Sequence, residues 1–88
     1  MNNNSMLFIT IYNQYKVLVY NVALNYVQNI EDAEEITQDV FIKVSENVSN
    51  FKENSTFKTW IYRITINQSL DYIKKKNMKN LEALLMIF

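Results

Sequence analysis

Apolar residues recur along this chain at steps of three and four, and two short polar joints interrupt the pattern. In the first block Leu7, Ile11, Tyr15, Leu18, Val22 and Tyr26 line one side of a helix, which predicts a helix over about residues 6–27. Val17, Tyr20 and Leu24 lie off that side, so they are expected to face another element or a partner. In the second block Ala33, Ile36, Val40, Val44 and Val48 form a buried stripe over about residues 30–48. Asn29 is suited to cap this helix, because its amide oxygen can accept from the free backbone N–H groups of the first turn. Glu31 and Asp32 then sit at the positive end of the helix dipole. Ser49 and Asn50 mark a stop, and residues 51–55 form a joint in which Asn54 or Ser55 can cap a third helix. That helix is predicted over about residues 56–76 or beyond, with Phe57, Ile61 and Ile64 opening its apolar surface and Ile66, Ser69, Leu70 and Ile73 continuing it. In residues 77–88, Met78, Leu81, Leu85 and Phe88 share one helical face. Three fates fit that face: it packs back on the bundle, it dimerises, or the chain has been cut before a following domain.

Composition narrows the fold. The 88 residues include no Gly and no Pro, the residues that supply tight turns, bulges and strained backbone. A β-rich fold would be hard to connect without them. The expectation is an all-α, compact three-helix bundle over residues 1–76, with a helical C-terminal extension over 77–88. There is also no Cys and no His, which removes disulfides, thiol nucleophiles, imidazole bases and nearly all zinc sites. Without Gly there is no Gly-rich phosphate loop. The chain is therefore read as a binding protein rather than an enzyme, with no metal and no cofactor. Residues 1–5 lack the basic start of a signal peptide, and no apolar run approaches the ~20 residues of a membrane span. A cytoplasmic protein is expected.

Net charge is zero, but its distribution is not even. Residues 31–46 carry six acids against Lys43, and residues 52–79 carry seven bases against Glu53 and Asp71. A chain split this way can present two opposite surfaces to two partners. On the second helix Glu35, Gln38, Asp39 and Glu46 gather opposite the buried stripe, with Ile42 among them. A solvated acidic face with one stray apolar residue explains this; so does an apolar anchor ringed by acids and aimed at a basic partner. On the third helix Trp60, Arg63, Asn67 and Lys74 make one stripe, with Asp71 beside it. Trp can stack on a base, Arg can pair with phosphate or stack, and Asn offers a donor and an acceptor together. The bland alternative makes Trp60 partly core and Arg63 a salt-bridge residue. The joint places Phe51, Lys52, Asn54 and Ser55 within five residues, either as a simple capped connection or as the wall of a pocket for an extruded base. Lys74-Lys75-Lys76 suits phosphate attraction, and equally the negative end of a helix.

Together, residues 31–76 resemble region 2 of the extracytoplasmic-function branch of bacterial sigma factors. Asp32-Ala33-Glu34-Glu35-Ile36-Thr37-Gln38-Asp39-Val40-Phe41 looks like that family's polymerase-binding helix. Residues 51–57 look like its base-capturing loop. Thr59-Trp60-Ile61-Tyr62-Arg63-Ile64, with Asn67 and Asp71, looks like its promoter-melting helix. The resemblance implies that Glu35, Gln38 and Asp39 contact the clamp helices of the core polymerase β′ subunit, with Phe41 or Ile42 as apolar anchors. It implies that Phe51, Lys52, Asn54, Ser55, Lys58, Trp60, Arg63, Asn67 and Lys74 hold the non-template strand of the promoter −10 element. It allows an anti-sigma factor as a further partner.

The chain departs from the family pattern at several points. Ser45 stands where Trp is frequent, and Glu53 where Gly is frequent, which alters the loop. Thr65-Ile66 replaces a common Ala-basic pair and removes one phosphate contact. Family members usually continue into a helix-turn-helix domain that reads the −35 element. None is present here, so a fragment or a shortened protein is expected. Two rival functions remain: a regulator or decoy that holds polymerase without initiating, and a helical module that homodimerises through the C-terminal tail.

Overall fold

A computed structural model of the chain describes residues 3–48 and 56–87. It contains α1 (Asn3–Val27), α2 (Ile30–Asn47) and α3 (Phe57–Ile87), each packed against the other two. The expected all-α three-helix bundle is what forms, with no strand among the described residues.

Each boundary has a local cause. Asn29, in extended conformation at φ −146° and ψ 125°, accepts the Asp32 N–H on Oδ1 at 2.9 Å, so the expected cap of α2 is in place. Gln28 closes α1 in the left-handed region at φ 52°, where its N–H donates to the Leu24 carbonyl at 2.7 Å. A sharp two-residue turn between antiparallel helices needs such a residue, and the chain has no Gly to supply it. The cap of α3 differs from expectation. Thr56 Oγ1 accepts the Thr59 N–H at 3.1 Å, while Asn54 and Ser55 lie outside the described residues.

The core is built from Ile11, Val19 and Ala23 of α1, Ala33, Ile36, Val40, Phe41 and Val44 of α2, and Ile61 of α3. The α2 stripe matches the sequence pattern. On the other two helices the pattern holds in part: Ile11 and Val22 of α1 and Ile61 and Ser69 of α3 are buried as expected. On α1, Leu7 and Tyr26 are exposed while Val19 and Ala23 are buried. On α3 the inner line is Ile61, Thr65 and Ser69, and Leu70 is exposed. Thr65 and Ser69 can be buried because each hydroxyl donates to the carbonyl four residues back, Ile61 O and Thr65 O, both at 2.8 Å. Their small side chains let α3 approach the bundle closely.

α3 continues past residue 76, the longer of the expected extents, and is 31 residues long in all, about 46 Å at the usual rise. The radius of gyration is 15.5 Å and the long axis 55 Å, against about 12 Å expected of a compact chain this long. The difference is the projecting end of α3. Met78, Leu81 and Leu85 stand exposed there, as do Leu84, Met86 and Ile87, so the face does not pack back on the bundle. No helix among the described residues is long and apolar enough to cross a membrane.

Candidate functional site

α2 crosses the bundle with its apolar stripe inward and its opposite side free. Glu35 and Gln38 are exposed on that side and Asp39 is half-buried. Ile42 is 54% exposed among them. Phe41 is only 3% exposed and is a core residue, which corrects its reading as a surface anchor. Its ring meets Tyr12 edge-on at 4.9 Å and Phe8 at 6.4 Å, so it fastens α2 to α1. Of the two apolar anchors considered, Ile42 is the one placed to meet a partner.

The free side of α2 forms a ridge with a groove on each flank. Asp32, Glu35 and Asp39 border a groove of about 880 Å³ against α3, whose far wall carries Lys74, Lys75 and Lys79. Gln38 borders a second groove against α1. The acidic and basic segments are therefore neighbours across one groove, not opposite surfaces of the domain.

A three-residue clasp joins them. The Tyr72 hydroxyl donates to Asp32 Oδ1 at 2.7 Å and lies 3.3 Å from Glu35 Oε2. Lys76 Nζ donates to Asp32 Oδ2 at 2.9 Å. The Tyr72 hydrogen bond, then Lys76, hold the Asp32 carboxyl below its ordinary value. The same hydrogen bond to Asp32, helped by desolvation and by the charges of Asp32 and Glu35, pushes the Tyr72 phenol well above its ordinary range. Nothing local in the sequence signals this set, because its members lie 40 and 44 residues apart.

On α3, Trp60, Arg63, Asn67 and Lys74 share one ridge, with Arg63, Asn67 and Lys74 exposed. Trp60 is half-buried. It packs against the core with its ring 5.2 Å from that of Phe57, which in turn meets Tyr15 at 5.9 Å. Lys58 is exposed but points about 160° away around the helix, so it does not join the ridge. The lysine run divides by role: Lys76 is held by Asp32, Lys75 pairs with Asp71 at 3.1 Å, and Lys74 has no ion pair among the described residues. Phe51, Lys52, Asn54 and Ser55 lie outside the described residues. Gln68, which the sequence pattern did not single out, lines the α2–α3 groove with its Oε1 buried and unpartnered among the described residues.

Residues 11–78 match the family described as sigma-70 region 2. The chain belongs to that family. It is 38% identical over 69 residues to the extracytoplasmic-function RNA polymerase sigma factor SigW of Bacillus subtilis, covering 78% of this chain and 37% of that protein. It is 39% identical over 66 residues to the extracytoplasmic-function sigma factor SigE of Mycolicibacterium smegmatis, covering 75% of this chain and 25% of that protein. A probable RNA polymerase sigma factor of Haemophilus influenzae is 41% identical over 51 residues, 58% of this chain and 26% of that protein. The sigma-70 region 2 domain described here is of the extracytoplasmic-function type, and the match spans 25% to 37% of the length of these relatives. The matched residues take in all of α2, α1 from residue 11 onward and α3 up to residue 78, and with them both grooves' walls on α2 and the α3 ridge.

Proposed function

We propose that this domain docks on core RNA polymerase through the free ridge of α2 and holds the melted non-template strand of a promoter −10 element on the ridge of α3. The observation that carries the reading is the pairing of two unlike ridges on one bundle of the sigma-70 region 2 family. One is acidic with Ile42 at its crest; the other runs Trp60, Arg63, Asn67 and Lys74. The first suits the basic surface of a protein partner, with an apolar side chain to desolvate at the centre. The second suits single-stranded nucleic acid. A half-buried indole is held at a fixed angle by Phe57, and an exposed guanidinium and an amide follow within two turns.

No bond is made or broken in this scheme. The work is to trap open DNA, offsetting base-step stacking that averages about 1.4 kcal/mol. Phe51, Asn54 and Ser55 complete the reading as the pocket for a flipped base, and Lys52 adds phosphate attraction. The place of action is the cytoplasm, where polymerase meets the promoter.

The test is a pull-down of core polymerase with the parent domain and with Asp39→Arg. The variant is expected to lose binding while its helical circular dichroism stays unchanged, because Asp39 makes no hydrogen bond or ion pair among the described residues. Unchanged affinity would remove α2 as the docking element. Run-off transcription with core polymerase then separates initiation from mere occupancy: binding without a promoter-specific product favours the regulator or decoy.

A further inference from the structure

The docking and strand-holding roles leave the projecting end of α3 without a use. Residues 79–87 lie beyond the stretch that matches the family. Met78, Leu81 and Leu85 fall within about 60° of one another around the helix, and each is at least half exposed. Leu84, also half exposed, broadens this stripe along one edge. The stripe lies on the opposite side of α3 from the buried Thr65 and Ser69, so the bundle does not stand over it. Where α3 leaves the bundle, Tyr26 and Val27 of α1 and Ile73 and Asn77 of α3 line a hollow of about 210 Å³ beside the stripe. Lys75 and Glu82 stand on its other edge. Lys75 pairs with Asp71 yet keeps 75% of its side-chain surface in water. Glu82 is exposed and has no hydrogen bond or ion pair among the described residues.

We propose that this stripe pairs with the same stripe of a second copy of the chain. The two helices run antiparallel, with Met78 opposite Leu81 of the other copy and Lys74 opposite its Leu85. The spacing fits such a seam: Lys74, Met78, Leu81 and Leu85 follow at steps of four, three and four. Charge selects the direction. A parallel pair would stack Lys74 on Lys74 and set the two Arg63-bearing ridges side by side, like charge against like. In the antiparallel pair the two Lys74 residues lie at opposite ends of the seam. Each lays its methylene stem along Leu85 of the other copy and keeps its ammonium in water. The same arrangement brings Lys75 of each copy within one helical turn of Glu82 of the other, opposite charges on one flank. On the other flank Leu84 of each copy comes level with residue 75 of the other, between Ile73 and Asn77, at the edge of the hollow. A second copy thus offers apolar contact along the stripe and an opposite charge at its charged edge. The overlap is about two heptads, which places the dimer at the weak end of specific interfaces.

Sedimentation equilibrium of the full chain over about 1–500 μM tests this, with Leu81→Lys, Glu82→Lys and Lys75→Glu beside the parent. The parent is expected to dimerise within that range and Leu81→Lys to stay monomeric. Glu82→Lys and Lys75→Glu are each expected to dimerise about tenfold more weakly, because the twofold axis repeats each lost pair. An equimolar mixture of these two variants is expected to regain near-parental association, since each copy then meets the charge it lacks. Circular dichroism at the dilute end, where every chain is a monomer, checks that the bundle is intact. If Leu81→Lys loses helicity there, the mixture decides. A parent that stays monomeric throughout overturns the proposal. So does a dimer that survives Leu81→Lys, which would place the contact elsewhere. A mixture that associates no better than either variant alone rules out the antiparallel pairing and overturns it as well.

Discussion

Gln28 takes a backbone conformation that a residue with a Cβ resists. At φ 52° its side chain crowds the following carbonyl, at a cost of about 1–2 kcal/mol relative to the right-handed region. The turn demands it, because its N–H must reach back to Leu24 while Asn29 caps the next helix. Gly accepts that conformation without strain, although it adds entropy to the unfolded chain. Gln28→Gly is therefore expected to stabilise the domain by a few tenths to about 1 kcal/mol. Urea unfolding followed by circular dichroism measures it, and a lower midpoint for the variant would mean that the Gln28 side chain contributes more than its backbone costs. Single residues also explain where the sequence pattern misled. Phe41 sits next to Ile42 and reads as equally apolar, but one position turns by 100° around the helix, which is enough to bury one ring in the core and expose the other side chain. Thr65 lies outside the apolar surface expected for α3, yet it is buried, because its back-bond to Ile61 satisfies the hydroxyl.

At the scale of elements, α2 was legible and the other two helices were legible in extent more than in orientation. The α2 stripe alternates cleanly with charge, so its inner face follows from spacing alone. α1 carries apolar residues on nearly every side, and only the position of its neighbours decides that Val19 and Ala23 are inside. What no local pattern can supply is the join between α2 and α3, where Asp32 meets Tyr72 and Lys76. This join makes a pH prediction. The folded-state pKa of Asp32 is lowered, so its contribution to stability is present above the unfolded value, near 3.8, and is lost as pH falls through the folded one. Tyr72 is shifted the other way. Its contribution is full below its ordinary value of 10.0 and declines as pH rises past it. Tyr72→Phe removes the largest cause of the Asp32 shift. The variant is expected to unfold at lower urea than the parent at neutral pH, and the gap is expected to narrow as pH falls below 3.8. A gap that stays constant down to the acid limit would mean that Tyr72 acts through packing alone.

Across the whole molecule, the clasp changes how the basic half of the chain can be used. Counted along the sequence, four cations belong to the set expected on the strand, Lys52, Lys58, Arg63 and Lys74, which implies a salt slope of about −3 for single-stranded DNA. In the folded domain Lys76 is held by Asp32 and Lys75 by Asp71. Lys58 lies off the ridge. Arg63 and Lys74 remain on it, and the proposed function adds Lys52 of the joint as a third. With about three phosphate contacts, log K for a −10 single strand is expected to fall with log salt at a slope of about −2. The measurement is made on the complex with core polymerase that the proposed docking would form. Lys74→Ala is then expected to reduce the slope by about 0.7, while Lys76→Ala leaves the slope nearly unchanged and lowers the stability of the domain. The reverse result, a slope that responds to Lys76 and not to Lys74, would show that DNA draws Lys76 out of its pair with Asp32 and that the α3 ridge is not the path of the strand.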